Sequence, residues 1–84
     1  MAGLFKKIKN RPTGQRYVIS TIRKSADLFE TAIFAANFLY LPRSLKHPEL
    51  IIHSADLREA CQTHERLAQR LIVELPGHIF QDYS

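Results

Sequence analysis

Eighty-four residues give room for one core and not two, so the chain reads as a single domain, 1–84. An apolar content of 45% excludes a disordered polar segment, and a lone cysteine, Cys61, excludes an internal disulfide and points to a reducing, cytoplasmic setting. The formal charge of +4 is badly split: residues 1–24 hold seven positive side chains and no acid, while the other sixty hold five positives against all eight acids, so +7 stands against −3 and the basic end calls for an anionic partner.

The first predicted element is a basic arm, residues 1–14. Gly3-Leu4-Phe5-Lys6-Lys7-Ile8-Lys9 alternates apolar and cationic residues, and Asn10-Arg11-Pro12-Thr13-Gly14 is turn chemistry. The arm lacks an apolar h-region, so no secretory signal is expected, and Ala2 stands where N-myristoylation needs glycine. Its Lys and Arg with Ser20, Thr21 and Ser25 have the composition of an organelle transit peptide, but the segment runs without a break into what reads as structure.

The next element is a helical hairpin over 15–75. Ile19, Ile22, Ala26, Phe29, Ile33, Ala36 and Tyr40 recur at alternating steps of three and four, which predicts a helix near 15–41. Pro42–His47 forms the connection. Leu50, Ser54, Leu57, Cys61, His64, Ala68, Leu71 and Leu75 repeat the same spacing and predict a second helix over 48–75, with Pro48 in its first turn and Pro76-Gly77 at its end. Residues 76–84 form a tail. The expected fold class is therefore all-α: an antiparallel two-helix hairpin that pairs into a dimeric four-helix bundle.

The sequence also supports an α+β alternative. Arg16-Tyr17-Val18-Ile19-Ser20-Thr21-Ile22 is rich in β-branched residues, so 3–9 and 15–22 could pair as a hairpin, followed by helices 25–41 and 54–75 and a third strand at 78–80. Ser-Ala-Asp-Leu occurs at both 25–28 and 54–57, each an acceptable helix start. The seam favours the all-α reading, because Ile19 and Ile22 stay in helical phase with the residues from Ala26 to Tyr40.

Two helices leave one face of each uncovered, and Phe34, Phe38 and Leu41 form a second stripe off the first seam. Burying these three is worth on the order of 2 kcal/mol each. Either the arm, through Leu4, Phe5 and Ile8, or a second chain covers them.

Candidate chemistry is sparse. Cys61, His64 and Glu65 share a helical face and could ligate a metal or form a nucleophile–base pair, but structural zinc needs four ligands and the other histidines lie elsewhere. The expected roles are a small core hydrophobe for Cys61 and a polar core or seam-edge residue for His64. With glycines only at 3, 14 and 77 there is no phosphate loop, and no enzyme activity, cofactor or metal is expected.

The sequence therefore predicts a small non-enzymatic helical interaction or regulatory protein of adaptor or inhibitor type. It would be a homodimer that binds a partner protein through Phe34, Phe38, Leu41, Leu4, Phe5 and Ile8. The alternative is a nucleic-acid-associated factor whose Lys6, Lys7, Lys9, Arg11, Arg16, Arg23 and Lys24 contact phosphates. A membrane surface is disfavoured as a partner, because three apolar side chains anchor weakly.

Overall fold

Residues 16–25 form a strand, not a helix. The structure, a computed structural model, describes residues 3–83; Met1, Ala2 and Ser84, at the outer ends of the predicted arm and tail, lie outside the described residues. Its strands are β1 (Gly3–Lys9), β2 (Arg16–Ser25), β3 (Leu28–Ala36) and β4 (Leu50–Ser54), followed by helices α1 (Leu57–Val73) and α2 (Pro76–Tyr83). The strands form one antiparallel sheet in the order β1-β2-β3-β4, and α1 packs across one of its faces.

The fold is thus α+β. The all-α hairpin of helices 15–41 and 48–75, and the four-helix bundle built on it, are overturned. The physical reason lies in what a step of three residues means. It keeps a side chain on one face of a helix but sends it to the opposite face of a strand. Ile19 is fully buried against α1, whereas Ile22, its supposed seam partner, lies on the other side of the sheet and is exposed. The true period is two: Tyr17, Ile19 and Thr21 in β2, and Phe29, Thr31 and Ile33 in β3, all point inward and are buried. Their β-branched and aromatic side chains suit a pleated, half-buried surface.

Of the α+β alternative, the hairpin of 3–9 with 15–22 is present and extends to Ser25, and helix 54–75 survives as α1. The proposed helix 25–41 is instead β3 and the start of a long connection, and the proposed strand at 78–80 lies inside α2.

The two Ser-Ala-Asp-Leu copies have different structures. The first closes a tight β2–β3 turn, with Ser25 paired to Leu28 beside a bulge. The second starts α1, where Asp56 caps the helix by accepting from the Glu59 N–H at 2.8 Å. Flanking sequence decides between them: the first copy sits between β-branched runs, the second before a stretch of good helix formers.

Ile8, Tyr17, Ile19, Ile33 and Leu50 of the sheet meet Leu67, Ala68 and Leu71 of α1 and Ile79 of α2 in one core. Each large side chain buried there contributes about 1.5–3 kcal/mol. Fully buried Asn10 fastens the β1–β2 turn to the end of α1. Its Nδ2 donates to the carbonyls of Leu71 at 2.7 Å and Glu74 at 2.6 Å, and its Oδ1 accepts from the N–H and hydroxyl of Thr13. Gly14, at φ +74°, supplies the left-handed residue that this turn requires. Pro76, expected to end a helix, is the first residue of α2. Arg70 ties α2 back to α1 by a two-pronged pair with Glu74, both contacts at 2.9 Å, and a 2.6 Å contact to Asp82.

Candidate functional site

Among the described residues no helix covers the face of the sheet turned away from α1, although Val18 is fully buried there and Tyr40 lies over Arg16 at one end. Paired residues of antiparallel strands share a face, so the register defines four rows across it. The first is Gly3–Ile22–Glu30–His53 and the second Phe5–Ser20–Ala32–Ile51. The third is Lys7–Val18–Phe34, and the fourth is Lys9–Arg16–Ala36, continued by a bridge to Pro42. Small Ser20 and Ala32 make a low floor between Phe5, which is 60% exposed, and Ile51, which is 44% exposed. Half-buried Phe34 stands diagonally across from Phe5. The centre is apolar and one end is cationic.

The predicted contact residues do not form one surface. Alternation along β1 divides Leu4, Phe5 and Ile8. Ile8 enters the core and Leu4 faces the α1 side, so Phe5 alone joins Phe34 on the open face. Phe38 and Leu41 lie in the β3–β4 connection. There the Asn37 side-chain oxygen accepts from the N–H groups of Leu39 and Leu41, and Tyr40 adopts φ +60°. This turn leaves Phe38, Leu39, Leu41 and Leu45 exposed, Phe38 by 72%. Ile51, Ile22, Leu39 and Leu45 were missed as surface candidates. The β-branched run Leu50-Ile51-Ile52 held the signal for a fourth strand.

The seven N-terminal cations also separate. Lys7, Lys9 and Arg16 lie on the open face, Lys6 on the α1 side, and Arg11 in the turn, where its N–H donates to the Ile72 carbonyl. Arg23 donates to the carbonyls of Ser25 and Ala26 and sits 5.5 Å over the Phe29 ring. Among the described residues, Lys24 is the one member of the seven with a carboxylate within 4.0 Å, Glu30 at 3.9 Å. Glu30, the one acid in the four rows, is also 3.3 Å from His53. Arg16 stacks 5.5 Å over the Tyr40 ring, and its buried Nε has no hydrogen-bond partner among the described residues.

On the α1 side, Leu4, Phe29, Leu57 and Cys61 line a cleft of about 390 Å³ beside Thr21, which reaches round the end of the sheet to Ile22. Cys61 is partly exposed there rather than sealed in the core. His64 is buried and turns to the sheet, its Nδ1 2.9 Å from the Thr21 hydroxyl, so this nitrogen is engaged away from the thiol. Among the described residues, no three His, Cys, Asp or Glu side chains gather closely enough to hold a metal ion. Nor, among them, is any helix long and apolar enough to cross a membrane.

Comparison with known protein families, with curated proteins and with solved structures finds no match to this chain.

Proposed function

We propose that this chain is a non-enzymatic binding module that takes nucleic acid on the open face of its sheet. The observation that carries the reading is a set of three cations, Lys7, Lys9 and Arg16, without carboxylate partners among the described residues, on the same face as Phe5 and Phe34. Cations set aside from internal ion pairs are free to replace the counterions of a phosphate backbone, which makes affinity depend steeply on salt. The single acid in the rows, Glu30, is held between Lys24 and His53 at the far end and offsets little of that field. The same charges disfavour two copies meeting through this face, since cations would confront cations.

A gel-shift titration at about 50 and 200 mM salt tests the proposal. Retardation at low salt that weakens at high salt, and is lost in Lys7→Gln/Lys9→Gln/Arg16→Gln, supports it. Absence of retardation at low salt removes it.

A second reading, a protein partner, is favoured by the β3–β4 connection. Residues 37–48 contain no acid, carry Arg43 and Lys46, and expose Phe38, Leu39, Leu41 and Leu45. Such a turn fits an apolar cleft rimmed by carboxylates. We place the protein in a reducing, cytoplasmic compartment on the single free thiol, Cys61.

A further inference from the structure

The open face is cationic only along one end, and its centre is apolar. Row by row, Lys9 and Arg16 lie outermost and Lys7 beside them; Phe5, Phe34, Ser20, Ala32 and Ile51 form the middle. A duplex offers this surface its phosphates and hides its base faces in the stack. Seating a duplex here would lay charged phosphates over Phe5 and Ile51, removing water from both without a compensating contact. An unpaired strand offers both parts at once, phosphates at its edge and flat bases that lie on aromatic rings.

We infer that the nucleic acid taken by this face is single-stranded, with a base stacked on Phe5 and the backbone running along the Lys9–Arg16 row. The inference rests on the nucleic-acid reading above and narrows it to one substrate class. Phe5 is suited to stacking because its ring is 60% exposed and stands beside small Ser20 and Ala32, which leave room for a base. Phe34 lies two strands away and one row over, which is roughly 12 Å at ~4.8 Å between strands and ~3.4 Å per residue. At the ~3.4 Å spacing of stacked nucleotides that distance takes about three to four steps. The strand therefore meets both rings within a footprint of roughly four to five nucleotides, at the short end for such platforms.

Arg16 fixes the position of the backbone. Its guanidinium carbon lies 5.5 Å from the centre of the Tyr40 ring, which holds the head group in place before a ligand arrives; Nε is buried, so contact with a phosphate falls to the terminal N–H groups. Lys7 and Lys9 extend that row toward the outer strand with flexible ammonium groups. Among the described residues, none along the face forms a groove-reading helix or a fixed pair of amides at a base edge, so stacking and charge set the affinity and base identity has little effect.

Fluorescence anisotropy tests this with a labelled mixed-sequence oligonucleotide of about twelve nucleotides, longer than the footprint, and the duplex of the same sequence. The single strand is expected to bind at least about tenfold more tightly at about 50 mM salt, by ring stacking that the duplex cannot use. Phe5→Ala weakens the single strand on the order of 5- to 100-fold with its salt slope unchanged, and leaves duplex binding as it was. Phe5→Leu keeps apolar bulk without a ring and is expected to lose nearly as much. Circular dichroism confirms that both variants keep the native fold. Equal or tighter duplex binding, or a silent Phe5→Ala, overturns the inference and leaves the nucleic-acid reading standing. Failure to bind either oligonucleotide at low salt overturns both.

Discussion

The hydroxyl of Thr21 lies 2.9 Å from Nδ1 of His64, joining an inner strand of the sheet to the helix that covers it. The same hydroxyl is 2.8 Å from that of Thr31 on β3, so three buried polar groups satisfy one another at the centre of an apolar layer. Thr21→Val keeps the shape but leaves His64 and Thr31 without this partner. We expect a loss of about 1–3 kcal/mol by urea denaturation, because orphaned buried groups cost their full desolvation.

His64 also makes stability depend on pH. Burial lowers its pKa below the ordinary value near 6.5; Glu65 on its own helix opposes the shift and Lys6 on β1 adds to it. A depressed folded pKa means the unfolded chain takes up the proton first. The contribution is therefore fully present above about pH 6.5 and drains away as pH falls toward the folded value. The urea midpoint should drop between about pH 7.5 and 5.5, and His64→Gln should flatten that part of the profile.

Asn10 is the clasp between the basic hairpin and the end of α1. Its side chain satisfies two carbonyls that the helix itself leaves unpaired, and it does so while fully buried. Asn10→Ala should cost about 2–4 kcal/mol, with four side-chain hydrogen bonds lost at once. Thr13→Val removes a hydroxyl that donates to the other end of the same amide and accepts from the exposed Gln15 N–H, and should cost less. Thermal denaturation of the two variants in parallel checks the ranking.

The repeated tetrapeptide allows a matched comparison. Asp56→Ala removes the cap on α1 and should destabilise by about 1 kcal/mol. Asp27→Ala, at the same position of the first copy, alters an exposed hairpin turn and should stay within about 0.5 kcal/mol. Chemical denaturation of the pair checks this, and equal costs would contradict the difference in local structure.

The β3–β4 connection should tolerate charge. Phe38→Asp with Leu41→Asp changes two exposed side chains and should shift stability by no more than about 0.5 kcal/mol each. Phe34→Asp should cost more, since that ring is half-buried beside Val18 on the sheet. Circular dichroism melts of the two variants check the contrast.

Several of these features could be read in the chain and others could not. Turn chemistry at Asn10–Gly14 and the β-branched density of Arg16–Ile22 marked the first hairpin, and Leu57–Val73 carries a helical pattern that needs no tertiary help. Phe29, Ile33, Ala36 and Tyr40 were misleading because their spacing also suits a helix. Strand pairing, a long-range effect, decided against it. Leu50–Ser54 was hidden behind Pro48, which opens a helix as readily as it precedes a strand. The charge split at residue 24 is plain in the sequence. That it would place Lys7, Lys9 and Arg16 beside Phe5 is not, because only the register of β1 on β2 decides which cations share a face.

Titration of a short single-stranded oligonucleotide into ¹⁵N-labelled protein, monitored by amide chemical shifts, tests the central claim most directly. Shifts concentrated in β1, β2 and β3 around Phe5, Lys7, Arg16, Val18 and Phe34, with α1 and α2 nearly still, are the predicted result. Shifts that instead gather on the outer surface of α1, or no shift at low salt, would contradict a binding platform on the uncovered side of the sheet.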